Sequence, residues 1–130
     1  MSELIYKEES YVIIGACMKV HAALGPGFLE AVYQEALKKV FIKEGIPFYS
    51  QHKLNIYFEG ERLNKYYLAD FYCFDKIILE LKAANTFHQD QFLQLQNYLK
   101  ATQSKLGILV NFGTPSPTYK RILNPSFHSQ

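Results

Sequence analysis

The sequence predicts an α/β domain of the α+β kind, in which helices flank a sheet that contains an antiparallel meander. Two stretches with helical spacing come first, three segments rich in aromatic and β-branched residues follow, and a further helix and strand complete the order. The chain has 130 residues, of which 48% are hydrophobic and 15% aromatic. This size and composition are typical of one globular domain, which we expect to span residues 1–130.

A glycine-proline break separates the two N-terminal helices. From about Glu8 to Leu24, apolar side chains recur at helical spacing, and the "GPG" of Gly25 to Gly27 predicts the end of that helix. The second helix lies within "FLEAVYQEALKKVFIKEG", where a glycine followed by a proline predicts its end.

Glu30 interrupts the apolar pattern of the second helix. At 100° per residue it lies close to the angle of Leu37, inside the apolar stripe. We therefore expect its carboxylate to point toward the core. A surface glutamate at the edge of the stripe is the alternative.

Alternating segments after the second helix predict the meander. A helix and a buried strand follow it, and the Pro-rich tail has no predicted element. The predicted strands and helix are Phe48–Phe58, about Lys65–Phe74, Ile77–Ala84, about Phe87–Thr102 and the strand "LGILVNF".

The strand "IILELK" carries two charges in an otherwise apolar run. A hairpin that turns symmetrically about Asp75 places Asp70 opposite Glu80, with the two carboxylates side by side. Alternation puts Glu80 and Lys82 on one face of the strand and the flanking leucines on the other. Like charges repel in this arrangement unless a cation lies between them, and oxygen ligands suit Mg²⁺. A structural pair between Glu80 and Lys82 is the alternative.

These residues carry a family resemblance. "AD", nine residues and then "ELK" resembles the signature of the PD-(D/E)XK nuclease superfamily, and the order of elements is similar to its restriction-endonuclease-like αβββαβ core with a mixed sheet. "LGPGFLEAVY", with Gly27, Glu30 and Tyr33, resembles the motif of the GxxExxY protein family.

The resemblance implies catalytic roles for several side chains. Glu30, Asp70 and Glu80 would hold a metal ion, with the carbonyl oxygen of Leu81 as a further ligand. Lys82 would position or polarise the attacking water. The family is usually predicted to contain nucleases, so the resemblance implies hydrolysis of phosphodiester bonds with Mg²⁺ or Mn²⁺.

The next helix contains "QLQNYL", which is similar to the Gln-x-x-x-Tyr element of the family. This assigns Gln94 and Tyr98 to substrate binding at the rim of the site; ordinary solvent-facing polar residues are the alternative. Two positions depart from the family pattern: Leu68 stands where a basic residue is frequent, and Gln91 where a histidine is frequent. Both changes remove contacts to phosphate.

Positive charge is concentrated in the C-terminal part. Residues 1–81 contain nine Lys or Arg and eleven Asp or Glu, whereas residues 82–130 contain five and one. Lys100 and its basic neighbours along the chain are therefore expected to guide a nucleic-acid backbone, DNA or RNA. An ordinary solvated face is the alternative for this charge distribution taken by itself. The net charge of +2 is too small to indicate such a partner alone.

Two functional classes remain open at this stage: a metal-dependent nuclease, and a non-catalytic nucleic-acid-binding or protein-interaction module on the same fold. A chain of this size has little surface for recognition, so we expect affinity to depend on a homodimer or another partner. We expect no membrane association and a cytoplasmic location, because apolar runs are short and the N-terminus is acidic and polar. Cys17 and Cys73 lie in apolar surroundings and are expected to be buried thiols.

Overall fold

A computed structural model describes residues 4–126 of the chain. Three helices and five strands follow one another along these residues. They are α1 (Lys7–Leu24), α2 (Glu30–Glu44), β1 (Phe48–Phe58), β2 (Glu61–Cys73), β3 (Ile77–Lys82), α3 (Gln89–Thr102), β4 (Leu106–Asn111) and β5 (Thr118–Leu123).

The five strands form one mixed sheet in the order β1-β2-β3-β4-β5. β3 and β4 are parallel, and the other neighbouring pairs are antiparallel. Because parallel neighbours need a crossover, α3 connects the two central strands across one face of the sheet. The meander and the mixed sheet confirm the predicted fold class, a restriction-endonuclease-like α+β architecture.

Each face of the sheet has its own hydrophobic core. On one face, Leu79 and Leu81 pack with side chains of α1 and α2, including Ile13 and Leu37. On the other face, Ile78 packs with Leu95 and Leu99 of α3 and with other apolar groups. The six residues of β4 are all buried, as expected of a central strand covered on both faces.

α3 lies directly on β4 at a position without a side chain. A Cβ atom placed on Gly107 would lie 2.9 Å from Cγ of Leu95, a side chain of α3 that is almost fully buried. This contact is closer than real Cβ atoms make. Glycine at this position therefore allows the helix to approach the sheet.

The hairpin between β2 and β3 has the predicted register. Tyr72 pairs with Ile78 and Cys73 with Ile77, so each pair is symmetric about Asp75. Strand β1 also begins and ends at the predicted residues.

Several boundaries, by up to four residues, and one element differ from the prediction. β2 begins at Glu61, earlier than Lys65, and β3 ends at Lys82, before Ala84. The Pro-rich tail, for which no element was predicted, contains the edge strand β5, in which Ile122 is buried. Its remaining side chains are exposed or half-buried, so the sequence of β5 lacks the apolar run that marks β4.

Candidate functional site

Asp70 and Glu80 are held beside each other by two side-chain hydrogen bonds. The backbone N–H of Asp70 donates to Oε2 of Glu80 at 2.7 Å, and the backbone N–H of Leu81 donates to Oδ2 of Asp70 at 2.7 Å. The regular pairing of β2 with β3 ends one residue earlier, at Phe71 and Leu79. The two carboxylates thus replace backbone groups where the strands stop pairing.

β2 changes face at Asp70. Ala69 belongs to the core under α3, whereas Phe71 belongs to the core under α1 and α2, although residues two apart on a regular strand share a face. On the neighbouring strand, Gln51 has a positive φ of 50° between the paired residues that flank this point. Such irregularities re-aim side chains near functional sites.

Burial makes the negative charges of this pair unfavourable. Glu80 is only 7% exposed. Burial first, and the neighbouring charge of Asp70 second, raise the pKa of Glu80 to about 8. The pKa of Asp70 is also raised, mainly by burial, while its hydrogen bond from Leu81 acts in the opposite direction. Placing two desolvated carboxylates together is costly without a compensating cation.

Lys82 supplies positive charge at the end of the same strand. Its charge lowers the pKa of both Asp70 and Glu80. The ion pairs within the described residues join other side chains, so Lys82 acts on the two carboxylates through space without an ion pair to Glu80. Its side chain is half-buried.

The chain that follows Lys82 is clamped by Asn111, a residue that sequence reasoning missed. Asn111 is fully buried and lies opposite Lys82 in the parallel pair. Its side-chain oxygen accepts from the backbone N–H of Ala84 at 3.0 Å, and its amide donates to the Ala84 carbonyl at 2.9 Å. A Cβ on Gly113 would lie 2.7 Å from the carbonyl carbon of Ala84. The sequence did carry one signal for this role, which is an asparagine at the end of a buried strand, shortly before a glycine.

Helix α2 is attached to the site through Gln34, which sequence reasoning also missed. The side-chain amide of Gln34 donates to the backbone carbonyl of Asp70 at 3.0 Å. Gln34 lies one helical turn after Glu30, so this bond brings the first turn of α2 toward the acidic pair. A glutamine one turn after Glu30 is an ordinary helical residue, so the sequence carries no distinctive signal for Gln34.

Glu30 does not point into the core, so this expectation is wrong. It is the first residue of α2 and is exposed. Its charge nevertheless raises the pKa of Asp70 and of Glu80, which places it near both. The angle of a residue around a helix, calculated from sequence, does not show whether another element covers the first turn of that helix.

Tyr33 fixes the loop that leads into α2. Its hydroxyl donates to the carbonyl of Gly25 at 2.5 Å and accepts from the backbone N–H of Phe28 at 3.2 Å. Its ring stacks on Phe112, with centroids 4.6 Å apart. Tyr33 therefore connects the break between α1 and α2 to Phe112, the residue directly after the end of β4.

Among the residues assigned to substrate binding, Tyr98 is adjacent to the acids. It is 8% exposed, and its ring lies 4.0 Å from that of Tyr67. Burial first, and then the charge of Glu80, raise the pKa of Tyr98 to about 12. Gln94 is exposed, and its side chain makes no hydrogen bond to another described residue. Lys100, two residues after Tyr98, is exposed and lines a separate groove with residues of β1.

Two carboxylates, not three, meet in this site. No group of three His, Cys, Asp or Glu side chains within residues 4–126 is arranged to hold a metal ion. Each of the two central acids retains one oxygen, Oδ1 of Asp70 and Oε1 of Glu80, without a hydrogen bond to a described residue. Mg²⁺ is commonly held by one or two carboxylates together with water and phosphate, so this donor set fits it.

The fold, the acidic pair and the nearby lysine define a restriction-endonuclease-like domain. The chain belongs to the PD-(D/E)XK nuclease superfamily, whose sequence model matches residues 7–122. Membership in this superfamily suggests nuclease activity on nucleic acid, and its members typically depend on divalent metal ions.

A solved structure supports the same fold. The crystal structure of SSO0001 is similar to this chain with a TM-score of 0.57 and 20% sequence identity. The similarity covers 92% of this chain and 58% of the SSO0001 chain. A comparison with curated protein sequences finds no match. Within the described residues, no helix has both the length and the hydropathy that a membrane span requires.

Proposed function

We propose that this protein is a Mg²⁺-dependent nuclease that hydrolyses phosphodiester bonds in DNA or RNA. The observation that carries the proposal is the pairing of Asp70 with Glu80. The two backbone hydrogen bonds occupy one oxygen of each carboxylate and leave the other oxygen available.

Asp70 and Glu80 would hold the metal ion, with the Leu81 carbonyl as a further ligand. Glu30 would complete the ligand set from the first turn of α2, where its charge already acts on both acids. A bound Mg²⁺ or Mn²⁺ supplies Lewis-acid polarisation of phosphate and lowers the pKa of bound water. Its charge would also offset the repulsion between the two buried carboxylates.

Lys82 would stabilise negative charge that develops on the phosphate, or hold the attacking water. An ammonium group has three donors and is a compact point charge, which suits both tasks. The clamp on Ala84 fixes the backbone directly after Lys82, and the Phe112 N–H donates to the Lys82 carbonyl at 2.8 Å. The lysine backbone is thus held from the neighbouring strand.

Tyr98 would contact the substrate beside the acids, and Gln94 would do so from the exposed face of α3. Lys100 would contact the phosphate backbone further from the site. Binding of this kind is sensitive to salt and depends weakly on sequence.

Metal-dependent cleavage tests the proposal. Wild type, Glu80→Ala and Lys82→Ala are incubated with labelled single- and double-stranded DNA and RNA, with Mg²⁺, with Mn²⁺ and with EDTA. We expect cleavage by wild type only with a divalent ion, and a loss of at least about 100-fold in both variants. Glu35→Ala, which removes an exposed carboxylate from α2, is the matched control. Equal activity in all four proteins would contradict the assignment.

A non-catalytic nucleic-acid-binding or protein-interaction module on this fold is the second candidate. The exposure of Glu30 favours it, because the described residues then provide two clustered acids where three were expected. Calorimetric titration with Mg²⁺ and Mn²⁺ separates the two candidates. Binding that disappears in Asp70→Asn supports the nuclease, whereas the absence of heat with either ion supports the module.

We also propose that residues 1–130 form one nuclease-like domain of the GxxExxY kind that acts in the cytoplasm, as a monomer or a homodimer. Gly27, Glu30 and Tyr33 support the family assignment. The buried free thiols of Cys17 and Cys73 support a reducing compartment.

A further inference from the structure

The groove that Lys100 lines is separate from the acidic pair and lies between β1 and the C-terminal end of α3. It encloses about 470 Å³, a volume within the range of small-ligand sites. Groups from three elements and the turn after α3 line it, among them His52, Lys53, Asn55, Tyr72, Lys100 and Ser104.

The lining of this groove favours an anion. It contains two lysines, one histidine, hydroxyl groups and amides, and it contains no aspartate or glutamate. Lys100 is exposed and takes part in neither ion pair of the described residues. The side chain of Lys53 lies over the ring of Tyr66 at 4.4 Å, so Lys100 is the cation that is free for a ligand.

Aromatic rings form one wall of the groove. The ring of His52 stacks on Tyr72 with centroids 5.0 Å apart and planes 5° apart, and on Tyr49 with centroids 5.2 Å apart. Tyr49 is 54% exposed. Two tyrosine rings already stack on His52, so the exposed ring of Tyr49 is the surface open to a further ring. Exposed aromatic surfaces bind nucleobases by stacking, and they accept any base because every base has a π-face.

The groove lies close to the acidic pair along two elements. Tyr72 follows Asp70 by two residues on β2, a displacement of about 7 Å. Lys100 follows Tyr98 by two residues on α3, a rise of about 3 Å and a rotation of about 200°, so its side chain lines the groove from another face of the helix than Tyr98. A strand bound at the acids would therefore reach the groove within a short stretch of its backbone.

We propose that this groove and the adjoining Tyr49 bind an unpaired nucleotide of the substrate strand, with a phosphate at Lys100 and a base against the exposed ring of Tyr49. The inference rests on the proposed nuclease function for the identity of the ligand. The groove has room for a nucleotide, and the stacking surface is useful only to an unpaired base. A preference for substrates with a single-stranded segment beside the cut follows.

Binding without catalysis tests this proposal. Fluorescence anisotropy is measured in EDTA with a labelled twelve-nucleotide oligothymidylate and with the same strand in a duplex, over about 50 to 200 mM salt. The proteins are wild type, Lys100→Ala, Tyr49→Ala, Tyr49→Phe and the control Lys43→Ala, which removes an exposed lysine at the end of α2. Thermal melts identify any variant that fails to fold.

We expect Lys100→Ala to weaken single-strand binding about 5- to 10-fold at the lowest salt and to reduce the slope of log K against log salt by about 0.7. Tyr49→Ala should weaken single-strand binding by at least about 5-fold, and Tyr49→Phe, which keeps the ring, should change it much less. Lys43→Ala should change it by less than about 2-fold, and duplex binding should change little in every variant.

Three results would overturn the proposal: equal effects of Lys100→Ala and Lys43→Ala, equal effects on single strand and duplex, or binding of thymidine monophosphate as tightly as the oligonucleotide. Cleavage is scored separately with Mg²⁺. Selective single-strand binding by a protein that never cleaves would overturn the proposed nuclease function and support nucleotide binding in the groove. Cleavage by wild type, together with unchanged single-strand binding in the variants, would support the nuclease function and overturn the groove proposal.

Discussion

Oε2 of Glu80 lies 2.7 Å from the backbone nitrogen of Asp70, so a side chain that is expected to bind a metal ion also closes the end of a β-hairpin. This double role makes folding sensitive to the protonation of Glu80. The hydrogen bond positions the carboxylate, and burial resists its charge.

The first prediction concerns the pH dependence of stability without divalent ions. The pKa of Glu80 rises from 4.5 to about 8 on folding, so the folded protein retains a proton that the unfolded protein has released between these values. The stabilisation that comes from this tighter binding of the proton in the folded protein is complete below pH 4.5, and it is lost as pH rises to about 8. Urea unfolding in EDTA between these limits should show the free energy of unfolding falling as pH increases.

Glu80→Gln should abolish much of this slope and be more stable than wild type at the alkaline end, because an amide has no proton to lose. Glu35→Gln, an exposed control, should retain the wild-type slope. A slope in Glu80→Gln that equals that of wild type would assign the pH dependence to other groups.

The second prediction concerns metal binding to the folded protein. At pH 8, Mn²⁺ at 100 times its dissociation constant should stabilise the protein by about 2.7 kcal/mol. Thermal melts should show a larger increase in Tm at pH 8 than at pH 5, since a protonated Glu80 competes with the ion. Asp70→Asn should lose most of the increase; an equal increase in this variant would locate the ion elsewhere.

The third prediction concerns Tyr33. Tyr33→Phe retains the stack on Phe112 and removes the hydroxyl that contacts Gly25 and Phe28. We expect a loss of about 1 to 2 kcal/mol in the free energy of unfolding. Hydrogen exchange should increase at the start of α2. Tyr11→Phe, at a residue that is 79% exposed, should leave both measurements unchanged.

The fourth prediction concerns the clamp behind Lys82. Asn111→Ala removes two hydrogen bonds to Ala84 and one to the backbone of Gly113, which should reduce the free energy of unfolding by about 2 to 3 kcal/mol. If the clamp positions Lys82, kcat should fall at temperatures where the variant is fully folded. A variant with reduced Tm and unchanged kcat would give Asn111 a structural role alone.

The sequence predicted what depends on local pattern. The strand Phe48–Phe58 and the register about Asp75 follow from alternation and from a tight turn, so both were available from neighbouring residues. The opposition of Asp70 and Glu80 followed from the same register. The family resemblance then extended this local reasoning to the order of the whole sheet.

Features that depend on distant segments were not predictable in this way. The carboxylate bonds to backbone N–H groups arise because the strands stop pairing at Asp70, and Gln34 reaches that residue from a helix 36 positions earlier. Asn111 clamps a segment 27 positions away. The exposure of Glu30 depends on which elements cover the first turn of α2, which spacing along a helix does not encode.

The missing side chain at Gly107 has a consequence for the chemistry above it. Since Leu95 rests where a Cβ would be, alanine there would lift α3, and Tyr98 on the same helix would move away from the acids. The spacing between α3 and the sheet is therefore set from beneath by a position that carries no side chain.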